Sequence, residues 1–140
     1  MSDISRAVRA VLGPGLLKLG LVTDAAAATG NSSQISWWAP HSPTHGIGID
    51  VHDPLGALEP GAAFVVEPGL YIRADVLDRL ASAPETRALA DTLRPVVERY
   101  LNIGIRIEDS FLMTQDGPEN LSAAVPRKAS DVEKVVGTGR

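Results

Sequence analysis

The chain has 140 residues, with 13 Lys and Arg against 17 Asp and Glu, and a formal net charge of −4 at pH 7. Its 44% hydrophobic and 21% charged content excludes a disordered chain, and its acidic balance supplies no pull toward nucleic acid or an anionic membrane. It has no cysteine, which excludes a disulfide framework, a thiolate metal site and a Cys nucleophile. No run approaches the ~18 apolar residues that span a bilayer. Met1-Ser2-Asp3-Ile4 lacks the basic-then-apolar start of a secretory signal, so the expected location is the cytoplasm.

In chain order, residues 2–12 predict a helix capped by Ser2 or Asp3, with Ile4, Val8 and Val11 at helical spacing and Gly13-Pro14-Gly15 as its breaker. Leu16, Leu17, Leu19 and Leu21 continue a second short turn, and 23–36 reads as a loop or weak helix. Residues 46–52 alternate, with Ile47, Ile49 and Val51 on one face and Gly48, Asp50 and His52 on the other, as in a half-buried strand. Glu59-Pro60-Gly61 and Glu67-Pro68-Gly69 both suit type II turns and bracket a short strand over 62–66. Leu70-Tyr71-Ile72 restarts extended structure. Residues 74–101 read as two helices separated by Pro84, the second kinked at Pro95. A strand over 104–114 follows, then a turn at Asp116-Gly117, and Ser130-Asp131-Val132-Glu133 has capping-box spacing for a last helix.

All three histidines, His41, His45 and His52, fall within twelve residues. His41 and His45 share a face in extended chain, whereas His45 and His52 do so only if Gly46 or Gly48 supplies a bulge. Spacing alone leaves two readings open, ordinary hydrogen-bonded histidines or a site. Glu67 and Glu108 each follow a β-branched apolar strand, although Glu59 has the same local context as Glu67. Arg106 lies on the face of Glu108, as a ligand support or as a cross-strand ion pair. Imidazole and carboxylate together suit Mn, Fe, Co or Zn better than a soft metal. Trp37-Trp38 either stacks a planar ligand or anchors a loop to the core.

The segment His41-Ser42-Pro43-Thr44-His45-Gly46-Ile47-Gly48-Ile49-Asp50-Val51-His52-Asp53 resembles the histidine segment of Xaa-Pro aminopeptidases, which are pita-bread metallopeptidases. Leu58 through Ile72, Gly104-Ile105-Arg106-Ile107-Glu108-Asp109 and Glu119-Asn120-Leu121-Ser122 resemble the next segments of that family, in its order. The resemblance implies an α+β fold, the C-terminal half of a pita-bread domain, with a mostly antiparallel curved sheet and helices on one face. It implies one partial domain over 1–140, with a helical lead-in at 1–36, ligand strands over 37–125 and a helical insertion at 74–101.

It also implies roles. His45, Glu67 and Glu108 would be metal ligands, His52 would hydrogen-bond the substrate or tetrahedral intermediate, and His41 would line the substrate pocket. Arg106 would hold the ligand network. The implied reaction is hydrolysis of the bond between an N-terminal residue and proline, with divalent metal, Mn²⁺ foremost. The family's two-metal centre also uses two aspartates upstream of the histidines, and this chain has only Asp3 and Asp24 there. The expectation is therefore a truncated enzyme that holds at most one ion and is inactive alone, or one completed by a homo-oligomer or by a missing N-terminal half. A non-catalytic peptide-binding or assembly module and a prolidase are the rival readings.

Overall fold

The computed structural model describes residues 2–137, which divide into two compact units. One comprises the chain up to Pro43 together with Pro68–Arg106; the other comprises Thr44–Glu67 and the chain from Ile107 onward.

The first unit is mainly helical. Helix α1 (Asp3–Leu19) is capped by Ser2, whose hydroxyl accepts from the Ser5 N–H at 3.2 Å. Contrary to the sequence expectation, α1 runs through Gly13-Pro14-Gly15. The reason is packing. A Cβ on Gly13 would lie 1.9 Å from the Ala27 carbonyl oxygen, so glycine is needed where a 3-10 turn (Ala25–Thr29) presses against the helix. The leucines at 16, 17 and 19 belong to the same helix. It ends at Gly20 (φ 76°), where the Gly20 and Leu21 N–H groups close on Leu17 and Leu16 carbonyls.

The stretch read as loop or weak helix holds the 3-10 turn and a single α-turn, α2 (Ile35–Trp38). Arg9 of α1 donates to the carbonyls of Gly30 and Ser32 and to the Ser36 hydroxyl, tying this stretch down. Trp38 is fully buried and its indole N–H donates to the Leu21 carbonyl at 2.8 Å, so this tryptophan anchors a loop.

Helices α3 (Ala74–Ser82) and α4 (Pro84–Tyr100) bury Val76, Leu77 and Leu80 and Ala90, Leu93 and Val97 in the same core as Leu16, Ile35 and Trp38. Pro84 opens α4, as expected, and the helix continues through Pro95. A two-stranded antiparallel ribbon completes this unit, β3 (Gly69–Tyr71) with β4 (Gly104–Arg106), pairing Gly69 with Arg106 and Tyr71 with Gly104.

The second unit is a four-stranded antiparallel sheet in the order β1 (Thr44–Gly46), β2 (Ala63–Val66), β5 (Asp109–Thr114), β6 (Gly117–Asn120). Its buried face carries Phe64, stacked on Phe111 with ring centroids 5.4 Å apart. The Glu59-Pro60-Gly61 turn forms as expected, with Gly61 at φ 97° and the Ala62 N–H on the Glu59 carbonyl. The second Glu-Pro-Gly is not such a turn, because Gly69 has no positive φ and enters β3 directly.

Three further expectations are corrected. Residues 47–52 are not a strand. The Gly46 N–H bonds the Asp53 carbonyl at 2.9 Å, which folds the intervening residues into a loop with Ile49 and Val51 exposed. The 104–114 strand is two strands, β4 and β5, in different sheets and broken at Ile107 and Glu108. The last helix, α5 (Ala129–Val136), starts at Lys128 without a side-chain cap, so the capping box at Ser130 does not form. The Asp116-Gly117 turn is present between β5 and β6, with Gly117 at φ 120°.

Candidate metal centre

In the second unit β1 pairs with β2 so that His45 faces Val65. Glu67 is two residues beyond Val65 and so falls on the same face, diagonal to His45. The result is a His45 Nε2 to Glu67 Oε1 distance of 3.5 Å, with the Glu67 side chain 5% exposed. Glu59 has the same Glu-Pro-Gly context and is exposed, so the ladder position and not the motif sets Glu67 apart.

His52 reaches the same place through the loop closed by Gly46 and Asp53, and its ring lies edge-on to that of His45 at 4.7 Å. Ligand atoms of His45, His52 and Glu67 all lie within 4.8 Å of one another. This shared face arises from a chain reversal rather than from a bulge in a continuing strand.

The chemistry of this group fits a divalent cation. His45 Nδ1 lies 2.8 Å from the Gly46 carbonyl oxygen, which can only accept, so Nδ1 carries a proton. Nε2 is then the ring nitrogen turned toward the Glu67 carboxylate, and a divalent cation could be held between the two. Imidazole and carboxylate, with no thiolate, are donor types for a borderline divalent ion.

Glu108 is exposed and stands outside this three-residue group. β2 pairs with β5 up to Val66 opposite Asp109, where the ladder ends, so Glu67 and Glu108 are the residues that flank its last pair.

The other two sequence candidates belong to the first unit. His41 Nδ1 lies 2.8 Å from the Ser42 carbonyl, and its Nε2 lies 3.0 Å from the Tyr71 hydroxyl. Arg106 Nε donates to the same hydroxyl at 2.7 Å, with its guanidinium 5.7 Å from the Tyr71 ring centroid. His41 and Gly69 also line a cavity of about 300 Å³ beside α1, floored by Leu12 and Pro68. Tyr71 was not singled out by sequence reasoning. The available signal was its place two residues after Gly69, on the same face as Arg106.

Asp109 was not singled out either. It receives two hydrogen bonds from Arg127, one of them 2.9 Å from Nε, and one from the Ser122 hydroxyl at 2.6 Å. The Arg127 guanidinium, more than Ser122, holds its carboxyl below the usual carboxylate range against the opposing effect of burial. Of the upstream aspartates, Asp3 opens α1 and Asp24 caps the 3-10 turn on the Ala26 N–H; neither lies in a strand. Asp24 is held below its ordinary value by the Ser32 hydroxyl and that backbone bond.

Comparison with known proteins agrees with this chemistry. The metallopeptidase family M24 model matches residues 1–115. Xaa-Pro aminopeptidase 1 of Streptomyces coelicolor is 36% identical over 94% of this chain and 25% of its own length. The Xaa-Pro aminopeptidase of Escherichia coli is 32% identical over 99% of this chain and 29% of its own length.

Among solved structures, zinc-substituted Escherichia coli aminopeptidase P in complex with product superposes with a TM-score of 0.68 at 32% identity, covering 97% of this chain and 29% of that one. Proline aminopeptidase P II from Yersinia pestis superposes at 0.67 and 32%, covering 94% and 28%. The α+β pita-bread expectation is borne out by these neighbours. The chain spans between 25% and 29% of the length of these relatives. No helix among the described residues is long and apolar enough to cross a membrane.

Proposed function

Because the chain belongs to metallopeptidase family M24, we propose that it carries the histidine and glutamate part of a metal site that hydrolyses the bond between an N-terminal residue and proline. The observation that carries this reading is His45 Nε2 facing the buried Glu67 carboxylate at 3.5 Å beside the His52 ring. In this reading residues 37–125 are the ligand-bearing region, 1–36 a helical lead-in and 74–101 a helical insertion.

His45, Glu67 and Glu108 hold the cation, and Mn²⁺ suits their hard and borderline donors. A divalent ion bound there polarises the peptide carbonyl and acidifies water. His52, exposed at the edge of the group, donates a hydrogen bond to the developing oxyanion. His41 contacts the peptide beside the scissile bond, and Arg106 supports His41 through Tyr71. Asp3 and Asp24 are committed to a helix start and a turn, and neither is assigned to the metal. These 140 residues alone hold at most one ion.

The test is hydrolysis of an Xaa-Pro tripeptide and an Xaa-Pro dipeptide by the purified chain with Mn²⁺, beside a Glu108→Ala variant. Turnover abolished in the variant supports the reading, and turnover restricted to the dipeptide moves it to a prolidase. The lack of strand aspartates favours one rival, a non-catalytic peptide binder. Peptide binding without turnover, even when the remaining polypeptide of a relative is supplied, would establish that rival.

A further inference from the structure

We infer that Gly69 is a positioning residue for His41: the side chain it lacks is the room in which the Tyr71 hydroxyl and His41 Nε2 meet. The inference rests on the reading above only in giving His41 a role toward substrate.

The steric fact is local. A Cβ built on Gly69 would lie 2.4 Å from the Tyr71 hydroxyl oxygen, 2.8 Å from Tyr71 Cζ and 2.8 Å from His41 Nε2. Real Cβ atoms do not approach so closely, so the tyrosine would have to move. The far end of a tyrosine moves cheaply when it is free. Here it is pinned by two hydrogen bonds, to Arg106 at 2.7 Å and to His41 at 3.0 Å. Moving it breaks both.

The β3 and β4 register explains why the three side chains converge. Gly69 pairs with Arg106, and Tyr71 is two residues on, so Gly69, Tyr71 and Arg106 share one face. Tyr71 in turn pairs with Gly104, where a Cβ would lie 3.3 Å from the tyrosine ring. Gly69 is not there for backbone freedom, since its φ is not positive.

The hydrogen-bond directions follow from the donors available. The Ser42 carbonyl can only accept, so His41 Nδ1 carries the proton. The Arg106 Nε–H donates to the Tyr71 oxygen, and the tyrosine's one proton is left for the lone pair at His41 Nε2. The chain Arg106 to Tyr71 to His41 to Ser42 therefore selects one imidazole tautomer and one ring orientation. Gly69 makes this chain possible without touching it.

The experiment is long-range ¹H–¹⁵N spectroscopy of the histidine rings in the 140-residue chain at pH about 8, where an ordinary imidazole is neutral. The chain has three histidines, so the rings are separable. The wild type is expected to show His41 with a protonated-type Nδ1 and a lone-pair-type Nε2 shifted by its donor. Tyr71→Phe should lose that Nε2 shift while His45 and His52 stay unchanged, and Gly69→Ala should reproduce the loss.

A folded Gly69→Ala protein with the wild-type His41 pattern would overturn the inference. If Gly69→Ala does not fold, Gly69→Ala combined with Tyr71→Ala, which removes the obstructing ring, should restore folding; failure to do so would also overturn it. The spectra need no turnover. Loss of peptidase activity as the function with the tautomer pattern intact would remove His41's role toward substrate and leave the positioning in place.

Discussion

His45 Nε2 points at the Glu67 carboxylate from 3.5 Å while its other ring nitrogen is held by the Gly46 carbonyl. The ring is thus oriented by its own backbone neighbour and offers its free nitrogen to a buried anion. His52 arrives beside it because a six-residue excursion is closed by the Gly46 to Asp53 bridge. This arrangement separates the duties of the two histidines, and that separation can be measured.

His45→Ala should abolish divalent-ion binding, because it removes the oriented, half-buried imidazole that faces Glu67. His52→Ala should leave ion affinity within about tenfold while cutting turnover by about 100-fold or more, the scale seen when an oxyanion donor is removed. Calorimetric titration with Mn²⁺, paired with peptide turnover, separates the two. Equal loss of ion binding in both variants would make His52 a ligand instead.

Asp109 contributes to the acid side of the stability profile. Its folded carboxyl lies below the usual range because of the Arg127 guanidinium first and the Ser122 hydroxyl after it. A depressed pKa contributes stability that is present above the unfolded value of about 3.9 and lost as pH falls through the folded value. Asp109→Asn should therefore lower stability at neutral pH and flatten the loss below pH ~4. Urea midpoints taken from pH 7 down to pH 3 check this, and parallel profiles for wild type and variant would contradict it.

Gly13→Ala should destabilise the fold by about 1–3 kcal/mol, the usual cost of overpacking a close contact. The added methyl would meet the Ala27 carbonyl, a backbone group that cannot swing aside as a side chain can. Gly15→Ala, with nothing near its missing Cβ, should stabilise the same helix by about 0.5–1 kcal/mol. Denaturant melts of the two variants side by side test the contrast.

The helices and short strands were legible where periodicity and turn chemistry agreed. The apolar stripes of α3 and α4, the Pro84 helix start, the strand before Glu67 and the Asp116-Gly117 turn all follow from local residues. Gly13-Pro14-Gly15 was misleading because tertiary packing, not a helix stop, requires that glycine. Residues 46–52 alternate like a strand, yet one backbone bridge turns them into a loop, and a bridge leaves no trace in side-chain pattern.

The site was legible as a set of residue types but not as a geometry. His45 and Glu67 meet because of a ladder register that spacing alone cannot give. Glu108 lies just before β5, beside the last pair of the β2–β5 ladder, rather than in the compact group. Tyr71 joins His41 to Arg106 only because β3 and β4 pair, and the bonds of Asp109 to Arg127 span eighteen residues.

The most direct test of the account is Mn²⁺ titration of the wild-type chain against Glu67→Ala. The account predicts no more than one ion per wild-type chain, bound weakly, and no detectable ion in the variant. Binding that is unchanged by Glu67→Ala, or two tight ions per wild-type chain, would contradict it.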